Sequence, residues 1–278
     1  KELDSWKFTR GDQTSAQEPG FDDSGWQTVT VPHDWAIYGP FDKEIDKQTV
    51  QIVQNNEETA SEKTGRTGAL PFTGVGWYRT GLNLPEYTGT QQVLIAFDGA
   101  MSNAVVYVNG QKAGNRPYGY SYFYFDITGL IRQGKENTIA VRLENQEFSS
   151  RWYPGAGLYR NVRIIVKEQT SFKHWGHFIT TPYISSDVAK VNIRSQVQGE
   201  NLLIKTIIRS PEGIVVADNK ATARFGDEIE QNIAIHYPQL WNTETPHLYT
   251  AELKLYEGNI LKDTETVRFG IREISYTA

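Results

Sequence analysis

The hydrophobic and polar positions of the 278-residue chain form short alternating runs, and hardly any segment carries a helical stripe. The clearest stretch is VLIAFDGAMSNAVVYVNGQKAGN (residues 93–115), which predicts two strands, a tight turn at Asn109-Gly110 and a returning strand. NTIAVRLEN (137–145) and NVRIIVKE (161–168) predict two more. Many short strands separated by glycine-rich turns indicate an all-β fold of the sandwich or barrel type.

The second half of the chain repeats this pattern at the spacing of a seven-stranded sandwich. The strands are predicted in VNIRSQVQ, NLLIKTIIRS, EGIVVADNK, QNIAIHY, LYTAELKLYEG and ETVRFGIREI. The aromatic-rich first half ends near residues 167–172, so we predict domains at 1–169 and 170–278. The second is predicted to be an immunoglobulin-like β-sandwich that serves as a scaffold.

One long polar segment interrupts the strands of the first half. Residues 42–66 read DKEIDKQTVQIVQNNEETASEKTGR, without a repeat or an assembled set of chemical groups. Loops of this length are commonly functional or solvent-exposed, and we predict an exposed surface loop.

The composition of the chain speaks against some classes of function. The net charge of −5 and the absence of a basic run speak against a nucleic-acid partner. No apolar stretch approaches the roughly 20 residues of a membrane span. The chain has no cysteine, which is compatible with either the cytoplasm or the periplasm. It does not begin with methionine, from which we expect a periplasmic or secreted protein, with the cytoplasm as the alternative.

No catalytic set is visible in the sequence. The five histidines lie outside any nucleophile motif, and no phosphate loop or zinc-type spacing is present. Seven Trp and fifteen Tyr fit a β-rich core with aromatic cross-strand pairs, and sugar recognition by aromatic faces is the alternative.

The loop SSRWYPGAGLYRNV (149–162) combines an arginine, two aromatic residues, a proline and two glycines before a strand. Gly155 and Gly157 permit backbone conformations that side chains forbid, which predicts a tight loop. A large aromatic residue beside a cation on such a loop calls for a partner.

Several collinear stretches together resemble glycoside hydrolase family 2, the family of β-galactosidases, β-glucuronidases and β-mannosidases. The N-terminal sugar-binding domain of that family is similar to WQTVTVPHDWAIYGPF, GVGWYRTGLNLP, LIAFDGAMSNAVVYVNGQKAG and SSRWYPGAGLYRNVRI. PQLWNTETPHLYTAELKLYEG and VRFGIREI resemble its immunoglobulin-like domain. The resemblance implies a jelly-roll, galactose-binding-like sandwich followed by the immunoglobulin-like one, and the loops look most like those of β-galactosidases.

In that family, a (β/α)₈ barrel with two catalytic glutamates follows the second domain, and no residue of this chain matches either catalytic motif. The resemblance therefore implies the non-catalytic N-terminal portion of a retaining exo-β-glycosidase that hydrolyses terminal β-galactosides. We expect the chain to be inactive by itself and to need no cofactor. Family members often use Mg²⁺ or Na⁺, whose ligands lie largely in the barrel.

The resemblance also suggests sugar-site residues, because loops of the first domain lie over the mouth of the barrel. Arg151 stands where some β-galactosidases have an acidic sugar-binding residue, and Thr73 where they have an asparagine. We expect Arg151 to donate to sugar hydroxyls or to pair with a barrel carboxylate. Trp152 would present its face to the sugar or the barrel, or else pack in a domain seam. Asp34 either caps a turn or contacts sugar.

Two other functions stay open. A jelly roll is also a lectin architecture, so the chain could be a stand-alone carbohydrate-binding module, which exposed aromatics on one face would favour. The third alternative is a structural pair of sandwiches that mediates contacts in a homo-oligomer.

Overall fold

The computed structural model describes residues 1–45, 48–50, 61–63, 67–147, 149–150, 152–223 and 228–274. Within these ranges the chain is built of strands and one short 3₁₀ turn, Thr128–Leu130, which confirms the all-β prediction. It divides into two compact units, residues 1–167 and 168–278. No helix among the described residues has the length and apolar character needed to cross a membrane.

Unit 1 is a sandwich of antiparallel strands. Its strands are β1 Ser5–Arg10, β2 Gln27–Thr30, β3 Gln48–Val50, β4 Ser61–Lys63, β5 Gly74–Leu82, β6 Gln92–Phe97, β7 Ala104–Val108, β8 Gln111–Arg116, β9 Phe123–Asp126, β10 Asn137–Asn145 and β11 Val162–Lys167. A six-stranded sheet has the order β2-β1-β5-β10-β7-β8, and a three-stranded sheet has the order β11-β6-β9. Their facing sides bury one core that includes Trp6, Tyr78, Phe97 and Leu143.

The predicted hairpin at β7–β8 is confirmed. Val108 pairs with Gln111, and Asn109 and Gly110 both have positive φ, at 53° and 84°. These angles match the right-handed twist of the flanking strands, and asparagine and glycine are the residues that adopt them most readily.

The prediction of an exposed surface loop over residues 42–66 is wrong at residues 48–50 and 61–63, while residues 46–47, 51–60 and 64–66 lie outside the described residues. The segment contains a small separate sheet, in which β3 pairs antiparallel with β4. These strands are only three residues long, and their sequences lack the alternation by which longer strands are recognised.

The outer face of the six-stranded sheet carries a second, smaller cluster. Trp77 and Ala140 are buried there with Ala16, which lies in the segment between β1 and β2. Arg79 is 3% exposed in the same layer; its Nε donates to Asp23 Oδ2 at 2.7 Å, and its Nη1 donates to the carbonyls of Ala16 and Glu18. The segment before β2 is thus held onto the sheet by one buried guanidinium.

Unit 2 has the predicted immunoglobulin-like sandwich, with seven strands among its described residues. They are β12 Ser171–Ile184, β13 Val188–Gln198, β14 Leu202–Arg209, β15 Val215–Ala223, β16 Glu228–His236, β17 Tyr249–Glu257 and β18 Ile260–Phe269. One sheet has the order β12-β13-β16 and the other β15-β14-β17-β18. Strand β16 alternates strictly between exposed and buried residues, as a strand with one face in a core must.

In unit 2, strand β12 is the element that alternation did not predict. Its pairing with β13 shifts register between Phe172 and His177 and again between Thr180 and Tyr183. Each irregularity changes which side chains face the core, so the period-two pattern breaks inside one continuous strand.

Candidate functional site

The loop that ends at β11 is fixed to the N-terminal half of unit 1 by Asp34. Its Oδ1 accepts hydrogen bonds from the Ala36 N–H at 2.9 Å and from the Tyr153 hydroxyl at 2.5 Å. Its Oδ2 accepts the Ala156 N–H at 3.1 Å. Both carboxylate oxygens are therefore engaged within the protein, and one residue links the turn at 34–36 to the loop at 153–156.

The hydrogen bond changes the acidity of its donor. Burial raises the pKa of Tyr153 far above its ordinary value, and the hydrogen bond to Asp34 raises it further, because the carboxylate opposes a second negative charge. Tyr153 stays protonated and serves as a donor at every physiological pH. Its ring meets Phe72 edge to face at a centroid distance of 6.1 Å.

Asn145 supplies a second tie to the same loop. Its Nδ2 donates to the Phe72 and Gly155 carbonyls at 3.1 Å each, while its Oδ1 accepts the Ser102 hydroxyl at 2.8 Å. Asn145 is 3% exposed. It therefore brings the end of β10, the residue before Thr73 and the loop together, and it is a site residue that the sequence reasoning missed. A polar residue at the end of a buried strand was the available signal.

Gly157 shows why the loop needs glycine at this position. Its φ is +119°, and a Cβ there would lie 2.4 Å from Tyr78 Oη and 2.7 Å from the His33 carbonyl oxygen. Neither atom can yield easily, since Tyr78 is fully buried and the other atom belongs to the backbone. The backbone of the loop consequently packs directly on Tyr78.

Trp152 projects from this loop into solvent. Its side chain is 59% exposed, and its Nε1 donates to the Tyr120 hydroxyl at 2.9 Å. Tyr120 in turn meets Tyr118 edge to face at 5.6 Å, and Tyr118 is 58% exposed. Close by, the Tyr159 hydroxyl donates to the Gly119 carbonyl. Trp152, Tyr118 and Tyr120 form one exposed aromatic cluster, which we call the Trp152 cluster.

The four sequence-predicted residues have different outcomes. Asp34 caps the turn, which is one of its two predicted roles. The residue next to it, Trp35, is buried in the core at 7% exposure. Thr73 is half-buried, and its carbonyl accepts a hydrogen bond from Arg10 Nη2 at 3.3 Å. Trp152 is exposed beside the loop that Asp34 fixes. Arg151 lies outside the described residues, so its predicted contacts stay a prediction.

The neighbouring side chains of His33 and Tyr78 are both uncharged at neutral pH. His33 Nδ1 lies 2.8 Å from the Tyr78 hydroxyl. Burial lowers the pKa of His33, so its imidazole is neutral at neutral pH, and burial raises that of Tyr78 well above its ordinary value. The described residues hold no group of three or more His, Asp or Glu side chains placed to bind a metal ion.

Sequence and structure comparisons identify the family. The model described as "Glycosyl hydrolases family 2, sugar binding domain" matches residues 2–168, and "Glycosyl hydrolases family 2" matches residues 174–272. The chain therefore belongs to glycosyl hydrolases family 2.

Two curated relatives and a solved structure give the same assignment. Beta-galactosidase BoGH2A of Bacteroides ovatus is 34% identical over 98% of this chain, and a putative beta-glucuronidase of Formosa agariphila is 32% identical over 98%. The crystal structure of a glycosyl hydrolase family 2 member from Bacteroides cellulosilyticus superposes with a TM-score of 0.82 at 29% identity and covers 99% of this chain and 36% of its own. The chain spans 31% and 25% of the two relatives' lengths.

Proposed function

We propose that this chain is the non-catalytic N-terminal part of a retaining exo-β-glycosidase that hydrolyses terminal β-galactosides. The loop fixed by Asp34 and the Trp152 cluster would form one side of the sugar site, and a catalytic domain of the kind that the longer relatives carry would form the rest. The single observation that carries the proposal is the exposed Trp152 beside a loop that is tied to the Asp34 carboxylate by the Tyr153 hydroxyl and the Ala156 backbone N–H.

The chemistry of this contribution follows from rigidity. An aromatic face held in one place stacks on the C–H face of a sugar ring without a large loss of conformational entropy on binding. Contacts that strengthen as the ring distorts toward the oxocarbenium ion raise turnover, and they need not come from the catalytic domain. Arg151 would add donors for hydroxyl groups beside Trp152. Mg²⁺ or Na⁺, where required, would be bound by the catalytic domain.

The preference for galactosides rests on the likeness of the loops to β-galactosidases and on the 34% identity to Beta-galactosidase BoGH2A. The relative at 32% identity carries a glucuronidase name, so the test compares the two substrates. The natural gene product is assayed with 4-nitrophenyl β-galactoside and 4-nitrophenyl β-glucuronide. Turnover of the galactoside by the natural product, with none by residues 1–278, is the expected result; preference for the glucuronide overturns the substrate, and turnover by residues 1–278 overturns the non-catalytic role.

The Trp152 cluster also favours a second candidate, a carbohydrate-binding module. Three exposed aromatic residues on one surface are the feature expected of such a module. In that case residues 1–278 bind a β-galactoside at millimolar concentration without any further domain, and Trp152→Ala removes the binding.

A further inference from the structure

One sheet of unit 2 carries an excess of positive charge on its outer face. The sheet β15-β14-β17-β18 packs one set of alternate side chains into the core, including Ile204 and Leu253, and directs the other set outward. The sequence of unit 2, residues 168–278, has 11 Lys and Arg residues and 14 Asp and Glu residues. Among the described residues of the four strands, the outward set holds five of these cations and two of these anions. We call this surface the Lys205 face, and its charged residues are Lys205, Arg209, Asp218, Lys220, Glu252, Lys254 and Arg268.

Three lysines stand side by side across the Lys205 face. The register pairs Lys205 of β14 with Lys220 of β15 on one side and with Lys254 of β17 on the other. Neighbouring strands lie about 4.8 Å apart, so the three residues form a transverse row. Like charges directly opposite each other on neighbouring strands destabilise a sheet, and the row therefore costs stability in the free protein. These positions face away from the core, so packing does not require lysine at them.

Most of this charge is not neutralised within the protein. Lys254 Nζ pairs with Glu252 at 2.7 Å, and Lys205 Nζ lies 4.4 Å from the centroid of the Tyr256 ring. Asp218 stands two residues before Lys220 on the same side of β15. Even so, no carboxylate of the described residues lies within ion-pair distance of Lys205 or Lys220. The ammonium groups of these two lysines are therefore available to a ligand.

Two arginines extend the positive charge along the strands. Arg209 and Arg268 stand on either side of Thr250, each one strand away from it. Arg209 is four residues from Lys205 on β14, about 13 Å along a strand. One of its N–H groups donates to the Gly213 carbonyl at 3.4 Å. The face thus presents a row of lysines and a parallel pair of arginines on one open surface.

The character of the face selects among anionic partners. Protein interfaces are depleted of lysine at their centre, whereas lysine occupies the centre of this face. Single-stranded nucleic acids stack their bases on aromatic rings, and the described part of the row has beside it one ring, Tyr256, which Lys205 covers on one side. The spacing of the lysine row, about 4.8 Å between strands, is close to the length of one sugar ring. An acidic polysaccharide carries anionic groups at regular intervals and needs neither an apolar centre nor base stacking.

We propose that the Lys205 face binds a linear acidic polysaccharide that lies across the strands. Anionic groups on neighbouring sugar rings pair with Lys220 and Lys205, the two lysines of the row that have no carboxylate partner. Binding also relieves the repulsion within the row, because negative charge is placed between the ammonium groups. Since the contacts are ion pairs at the surface, salt screens them. The inference concerns unit 2 and holds whichever glycoside the complete protein hydrolyses.

The experiment titrates residues 1–278 with polygalacturonate in calcium-free buffer and follows binding by calorimetry. Polygalacturonate has one carboxylate on each ring, and its methyl ester keeps the rings without the charges. We expect the acid form to bind and the ester not to bind. Raising NaCl from about 50 mM to about 500 mM weakens binding by about tenfold.

Variants of the lysine row test the assignment of residues. Lys205→Gln and Lys220→Gln each weaken binding by about threefold, and the double variant weakens it by about tenfold. Lys205→Arg keeps the charge and retains binding. Without ligand, each Gln variant melts at or above the temperature of the unaltered chain, because one repulsive charge is gone; this confirms that the variants are folded.

The control is Lys190→Gln, which removes one exposed positive charge from β13 in the other sheet of unit 2. It leaves the affinity unchanged. Equal binding by the double variant and the unaltered chain overturns the proposal, as does equal binding of the methyl ester. Tighter binding of a thymidine oligonucleotide or of phosphatidylserine vesicles, at the same concentration of negative charge, overturns the choice of a polysaccharide as the partner.

Discussion

The Tyr153 hydroxyl donates a hydrogen bond of 2.5 Å to Asp34 Oδ1, across 119 positions of sequence. The carboxylate also accepts the Ala156 N–H, so two donors of one loop meet one residue of another. We interpret Asp34 as the residue that positions the loop before β11, and Trp152 as the side chain that this loop presents.

Removing the hydroxyl tests this role directly. Tyr153→Phe leaves the ring and deletes the donor, and we expect a loss of about 1–2 kcal/mol in the free energy of unfolding of unit 1. Hydrogen exchange at the Ala156 amide should accelerate at the same time. Asp34→Asn should lose at least as much, and the double variant should lose less than the sum, since the two side chains share one interaction. Additive losses would show that they act independently.

Alkaline pH should weaken unit 1 through its tyrosines. Burial raises the pKa of Tyr78 and Tyr153 above the ordinary value of 10, and it raises that of Tyr122 to about 12. Below pH 10 both the folded and the unfolded chain hold these protons. Above it the unfolded chain releases them first, so the stability falls as the pH rises through the folded pKa values.

Urea unfolding at a series of pH values from about 9 to 12 measures this slope. Tyr153→Phe should make it shallower by up to one proton, about 1.4 kcal/mol per pH unit. A matched change at an exposed tyrosine of unit 2, Tyr237→Phe, should leave it as it is. An unchanged slope in Tyr153→Phe would contradict the raised pKa.

We expect low pH to destabilise unit 1 through the contacts of Asp12 with the outer face of the six-stranded sheet. The Arg142 guanidinium and the Trp77 indole N–H both donate to Asp12 and lower its pKa to about 2. The contribution of Asp12 is therefore complete above its ordinary pKa of 3.8 and is lost as the pH falls toward 2. We expect Asp12→Asn to reduce the dependence of the melting temperature on pH in this range. Asp4→Asn, at another exposed carboxylate of unit 1, is the control.

The buried guanidinium of Arg79 gives a stability prediction. Asp23→Asn removes the charge that Arg79 Nε contacts at 2.7 Å and leaves a cation that is only 3% exposed. We expect a loss of about 2 kcal/mol, less than the ~3–5 kcal/mol of a fully buried pair, because the Asp23 side chain is 30% exposed. Urea unfolding measures it, with Glu86→Gln as the surface control. If Asp23→Asn loses less stability than Glu86→Gln, the two backbone carbonyls alone compensate the buried charge of Arg79.

Much of the fold could be predicted from local sequence. The alternation in NTIAVRLEN gave β10 with its bounds, and Asn109-Gly110 gave the turn between β7 and β8. Strand β12 escaped prediction, because its two register shifts interrupt the period of two. The pair β3 and β4 escaped because each strand is too short to show a period.

The sequence by itself determined the class of fold and the family. Alternation and turn residues depend only on neighbours along the chain, and the motifs that resemble the family are contiguous stretches of sequence. Only the tertiary structure decided how Asp34 is used. From the sequence both a turn cap and a sugar ligand were open, and the order β2-β1-β5-β10-β7-β8 then placed it against Tyr153 and Ala156. The role of Asn145 has the same origin, because contacts between distant residues depend on which strands become neighbours.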